Sequence, residues 1–127
     1  MAAEIQVHDC KEGLTHVFSC KLLDDAVPPV ALEPSGTATL VMSLMSLDDT
    51  DSNGLPTIIN SRSDVNVLAS LAAGGIFTFV FTPADMVMLN EARTVERHLM
   101  QLTWTYSNGT RTGGADFLFL VRNRERT

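Results

Sequence analysis

Asp49, Asp51 and Asn53 alternate along Asp49-Thr50-Asp51-Ser52-Asn53-Gly54, with glycine at the sixth position, the order of oxygen donors in the first half of a calcium loop. The pattern then stops, because the eighth position is Pro56 and the twelfth is Asn60, where the bidentate glutamate would stand. The same composition suits a polar loop between two strands on turn chemistry alone, so these residues are a weak calcium candidate. A second group is His8, Cys10, His16 and Cys20, which holds both cysteines and two of the three histidines within thirteen positions. Its intervals of one, five and three residues match no usual zinc module. Cys20 reads as a small core residue beside Phe18 and Leu22. Neither group assigns a metal, and no cofactor is expected.

Nucleophilic chemistry has no foothold either. There is no Gly-x-Ser-x-Gly elbow, and Gly74-Gly75 is not followed by the Lys-Ser/Thr of a phosphate loop. The paired acids Asp24-Asp25 and Asp48-Asp49 are adjacent, so their side chains diverge in an extended strand. The expectation is a chain that is not an enzyme. Trp104 and Tyr106 could stack a sugar if they met solvent, but they share a strand face with Met100 and Leu102, which assigns them to the core. A carbohydrate- or calcium-binding module is therefore the alternative function. Asn108-Gly109-Thr110 has the form of a glycosylation sequon, and a hairpin turn explains it better.

The elements that must position these residues follow from composition and periodicity. A chain of 127 residues with 45% hydrophobic and 19% charged residues is a folded domain, read as one unit over 1–127 with flexible ends at 1–4 and 123–127. The net charge of −6 is uneven: residues 1–64 carry ten acids and three bases, and residues 65–127 carry five acids and six bases. That balance excludes the extended positive surface that nucleic acid needs. The only basic cluster, Arg122, Arg124 and Arg126, reads as a solvated tail or as an arm for an acidic partner. No run approaches the length of a membrane-spanning helix, and the N-terminus lacks the features of a signal peptide, so a soluble, unexported protein with reduced thiols is expected.

Period-two alternation between turn signals predicts seven or eight strands. Strands at Glu4–His8 and Leu14–Leu23 flank Lys11-Glu12-Gly13. The prolines 28, 29 and 34 mark a crossing. Thr37–Leu47 is apolar on both faces and should be central, and Asp48–Gly54 is a polar loop. Thr57–Asn60 and Val65–Ser70 follow. Ile76–Thr82 places Phe77, Phe79 and Phe81 on one side and Thr78 and Val80 on the other. Thr82-Pro83-Ala84-Asp85 has the signature of a helix start and predicts one short helical turn to about Leu89. His98–Tyr106 alternates again, and Asp116–Arg122 closes the chain after a flexible Gly113-Gly114. Two packed antiparallel sheets satisfy this pattern.

The stretch from Gly75 to Asp85 fits the pattern G-x-[FY]-x-[VF]-x-[FL]-T-x-x-D. With the strand ending at Asp24-Asp25, the apolar crossing Val27–Leu32 and the final hairpin, it resembles small immunoglobulin-like domains of tailed-phage virion proteins. These include the N-terminal domains of baseplate upper proteins and related head, neck and tail adaptors. The chain departs from that family in its Glu91–Arg97 insertion and in having Gly13-Leu14 where a glycine-aspartate pair is usual. The resemblance implies an immunoglobulin-like β-sandwich with a structural role in the virion: a neck, baseplate or fibre adaptor, or a capsid decoration protein. Its partners would be other virion proteins, met as a symmetric homo-oligomer or on a symmetric assembly, with neither nucleic acid nor membrane. The loops that could face such a partner carry Asp48, Asp49 and Asp51, and Glu91, Arg93, Glu96 and Arg97, together with the arginines at 122, 124 and 126.

Overall fold

The structure is a computed structural model that describes residues 6–24, 28–107 and 112–123. Two sheets form an all-β sandwich of immunoglobulin-like type. The larger sheet has the order β1-β9-β8-β3-β4, with β5 also on β3, where β1 is Gln6–Lys11, β3 Thr37–Thr50, β4 Pro56–Ile58, β5 Val65–Asn66, β8 Val95–Tyr106 and β9 Thr112–Arg122. The smaller sheet has the order β2-β7-β6, with β2 His16–Lys21, β6 Leu71–Ala72 and β7 Ile76–Phe81.

Alternation decides which side chains meet between the sheets. Leu40, Met42 and Leu44 of β3, Met100, Leu102, Trp104 and Tyr106 of β8, and Phe117, Phe119 and Val121 of β9 are all buried on one inner face. Phe18, Phe77 and Phe81 are buried opposite them. The layers meet through aromatic edges: Phe18 lies 5.0 Å from Phe117 and 5.4 Å from Phe119, and Phe81 lies 5.2 Å from Phe119, between ring centroids. β3 is central as expected, with β8 on one side and β4 and β5 on the other.

Several details depart from the sequence reading. Nine strands are present among the described residues, because β4, β5 and β6 are separate pairings of only two or three residues. β1 and β2 do not pair with each other; they lie in different sheets, and β1 runs parallel to β9, so the sandwich is antiparallel except at this one edge. Gly13, at φ 69°, makes the step between the sheets possible, and its N–H donates to the carbonyl of Met86. The helical turn after Thr82 is a 3-10 turn that ends at Met86 and not near Leu89. Gly113-Gly114 is strand and not a flexible spacer: Gly113 faces Trp104 in register, and a Cβ there would collide with the indole nitrogen. The indole fills the side-chain space that the glycine leaves open. At the end of β9, Asn123 is buried and donates from its amide to the carbonyls of Glu91 and Arg93, so this part of the expected flexible end is anchored. The expected start of the first strand at Glu4 and Ile5, Asp25, Val27, the turn at Asn108-Gly109-Thr110, and the arginines 124 and 126 lie outside the described residues.

Candidate functional site

The two loops expected to face a partner meet each other. β3 runs on through Thr50 and β8 begins at Val95, so Asp48, Asp49, Glu96 and Arg97 stand on paired strands with Arg93 just before them. Arg93 donates to Asp49 at 2.7 Å and to Glu96 at 3.0 Å. Arg97 is bound to Asp48 through both its backbone N–H, at 2.7 Å, and its Nε, at 2.9 Å. Glu96 is fully buried, and its carboxylate accepts the N–H groups of Leu89 and Asn90 at 3.0 and 2.8 Å and faces His98 Nε2 at 2.8 Å. Burial pushes the His98 imidazole below its ordinary pKa despite this carboxylate, so the ring is neutral and Nε2–H is the donor. The bonds from Arg93 and Arg97 hold the carboxyls of Asp49 and Asp48 below the ordinary range, against desolvation that acts the other way. This corner is a closed network that joins β3 to β8. Glu91 stands where its carbonyl is held by Asn123, and Arg122 pairs with Asp9 at 2.8 Å.

The calcium candidates are drawn apart by the same bonds. Asp49 turns to Arg93, while Asp51 closes its own turn, its carboxylate accepting the N–H groups of Asn53 and Leu55 at 2.8 and 3.1 Å. Among the described residues no three His, Cys, Asp or Glu side chains gather to hold a metal ion. His8 packs against the aromatic core instead, 5.0 Å from Phe18 and 5.3 Å from Phe119, and His16, half-buried, borders it 6.4 Å from Phe81. Cys10 and Cys20 are free thiols, and burial pushes both up to about 11, which favours the protonated form. Trp104 and Tyr106 are 3% and 8% exposed, which leaves no ring face for a sugar.

One buried polar centre was not singled out in the sequence beyond its capping role. Asp85 is fully buried and accepts bonds from the N–H and hydroxyl of Thr82, from Asn60 at 2.8 Å and from two nitrogens of Arg62 at 2.9 and 3.2 Å. These bonds hold its carboxyl below the ordinary range in spite of burial. Asn60 and Ser61 take φ of 53° and 56°, an uncommon backbone that delivers Asn60 and Arg62 to the carboxylate. The cluster is structural, since it is filled by its own chain.

Among the described residues β2 pairs with β7 alone and β1 with β9 alone, and β4, β5 and β6 are the other strands that end a sheet. On the outer face of the small sheet Val17 and Val80 are cross-strand partners at 61% and 52% exposure, with Ile76 also exposed beside Lys21. The signal for this patch was present in the alternation of Ile76–Thr82, whose outward positions include Ile76 and Val80 as well as Thr78. Where β1 ends and β2 begins, a cleft of about 380 Å³ is lined by Asp9, Cys10, Lys11, Leu14, Thr15, His16 and Arg122. No protein-family model and no curated protein matches the chain.

Proposed function

We propose that this protein is a non-enzymatic structural protein of a tailed-phage virion, a protein–protein adaptor of the neck, baseplate or fibre attachment or a capsid decoration protein. The observation that carries the reading is the exposed Val17–Val80 pair beside the unpaired edge of β2. An apolar pair on a sheet face, next to a strand with open backbone groups, is a surface suited to a neighbouring protein. The carboxylates of Asp48, Asp49, Asp51, Asp85 and Glu96 are engaged within the chain. The placement in a virion comes from the resemblance of Gly75–Asp85 and the strands around it. Repetition around a symmetric assembly turns a small contact of this kind into durable attachment. The partners under this reading are other virion proteins or further copies of the chain.

Light scattering behind a sizing column, over a range of concentrations, tests it with wild type and Val80→Glu. A discrete oligomer that the substitution dissolves supports the reading. A chain that is monomeric throughout, with the substitution changing nothing, counts against self-assembly through this patch and leaves attachment to a different virion protein as the form of the reading.

A further inference from the structure

We infer that the free edge of β2 and the cleft at its start form one binding site for the extended C-terminal segment of a partner protein, whose free carboxylate and apolar last side chain enter the cleft. This rests on the reading of the domain as a docking module. Leu22 donates its N–H to the Gly75 carbonyl on the β7 side, so the period of two turns the N–H and C=O of Val17, Ser19 and Lys21 to the opposite edge. Among the described residues no strand occupies that edge. An added strand would gain main-chain hydrogen bonds there, and its outward side chains would stand beside Val17, Ser19 and Lys21.

The cleft determines which part of the partner binds. Its volume of about 380 Å³ is in the range that holds a small ligand, and it opens beside His16, the first residue of β2. Leu14 and the neutral thiol of Cys10 give it an apolar wall. Lys11, His16 and Arg122 line it beside the one carboxylate of Asp9, which Arg122 meets at 2.8 Å, and Lys11 and Lys21 are the only lysines in the sequence. Arg122 spends its Nε on Asp9, and its terminal nitrogens make no bond among the described residues. A carboxylate is the group these donors answer. The strand must run antiparallel to β2 for its C-terminus to arrive at the His16 end. An acidic residue earlier in the segment then falls beside Lys21. The chain's own last residues do not suit the site, because Arg124 and Arg126 would place further positive charge against it.

The test is fluorescence anisotropy of the intact protein with a labelled heptapeptide, Glu-Val-Thr-Val-Val-Thr-Leu, made as the free acid and as the C-terminal amide. The expected result is saturable binding of the acid, at least tenfold weaker binding of the amide, and a similar tenfold loss for Lys11→Gln with the acid. Ser19→Pro removes one edge donor and should weaken acid and amide alike. Arg122→Gln serves as a second cleft variant, checked for folding because it also frees Asp9. Equal binding of acid and amide, or no binding of either, overturns the inference. If that happens while Val80→Glu still dissolves an oligomer, the docking reading stands and only the C-terminal site falls.

Discussion

Asp85 and Glu96 sit at full burial, each meeting an arginine and at least two further donors, whereas along β2 three residues turn their backbone groups to an edge with no strand beyond it among the described residues. The same chain thus closes its charged corners completely and leaves a plain strand of mostly uncharged residues open. Polar side chains in the interior must be answered, because a buried carboxylate without partners costs several kcal/mol. An edge facing water has no such requirement, since solvent satisfies it. Burial of a charged side chain therefore reports on the fold of this protein, and the exposed Val17–Val80 pair is the surface on which the proposed docking rests.

That comparison is broken most severely by Asp85→Ala. The substitution leaves Arg62, Asn60 and the Thr82 N–H facing a cavity, and it removes the anchor of a loop held in left-handed backbone at Asn60 and Ser61. Loss of one partner of a buried pair costs on the order of 3–5 kcal/mol. Urea unfolding should show the midpoint fall accordingly, and an unchanged midpoint would mean that the cluster is ornamental. Glu96→Gln is milder, because shape is kept while one oxygen becomes an amide that faces N–H donors. A loss of about 1–3 kcal/mol is expected, measured in the same way. Arg93 should lose order in parallel, visible in its side-chain NMR signal.

The closed corners also set the response to acid. His98 and His8 are both held below their ordinary value of 6.5, chiefly by burial, so below that pH the unfolded chain binds protons that the folded chain refuses. Stability is full above about pH 6.5 and falls as the pH drops toward the folded values. Asp85 is depressed from 3.8, so its contribution is complete above that pH and is lost only as the pH falls further. Two acid phases follow, one starting near neutrality and one below about pH 4. Unfolding free energy measured between pH 8 and pH 3 should show both. His8→Phe should flatten the first phase in part, because a phenyl ring suits the surroundings of Phe18, Phe117 and Phe119. A slope unchanged by that substitution would remove His8 from the account.

The sandwich itself was legible because period two is a local signal. Ile76–Thr82 and His98–Tyr106 specify inner and outer faces without any knowledge of their neighbours, and Thr82-Pro83-Ala84-Asp85 specifies its own turn. Pairing was less legible. Nothing local in Gln6–Lys11 reveals that it joins β9 in parallel and not the strand that follows it. The same holds for charge. Glu96 lies in a run of mixed charges, Glu91 to Arg97, which reads as surface, and only the β3–β8 register shows that His98 meets it directly and Asp49 through the shared Arg93. Gly113-Gly114 reads as a spacer until Trp104 is placed opposite. Long-range partners, not propensities, decided each of these cases.

The smallest effect on stability is expected at the open edge, and it is also the one that bears on function. Val80→Glu puts a charge on a side chain already 52% exposed, so the folded state loses little burial and unfolding should shift by no more than about 0.5 kcal/mol. Ser19→Pro deletes an N–H that points away from β7, at a position where an edge strand tolerates proline, and with it the exposed hydroxyl contact to Thr78 at 3.0 Å. Its effect should be of similar size if the ring suits the local backbone. Both variants should therefore keep the melting behaviour of wild type. A drop comparable to that of Glu96→Gln at either position would show that β2 is committed to its own fold and not reserved for a neighbour. Preserved stability with lost association would separate the two sides of the molecule as the comparison requires.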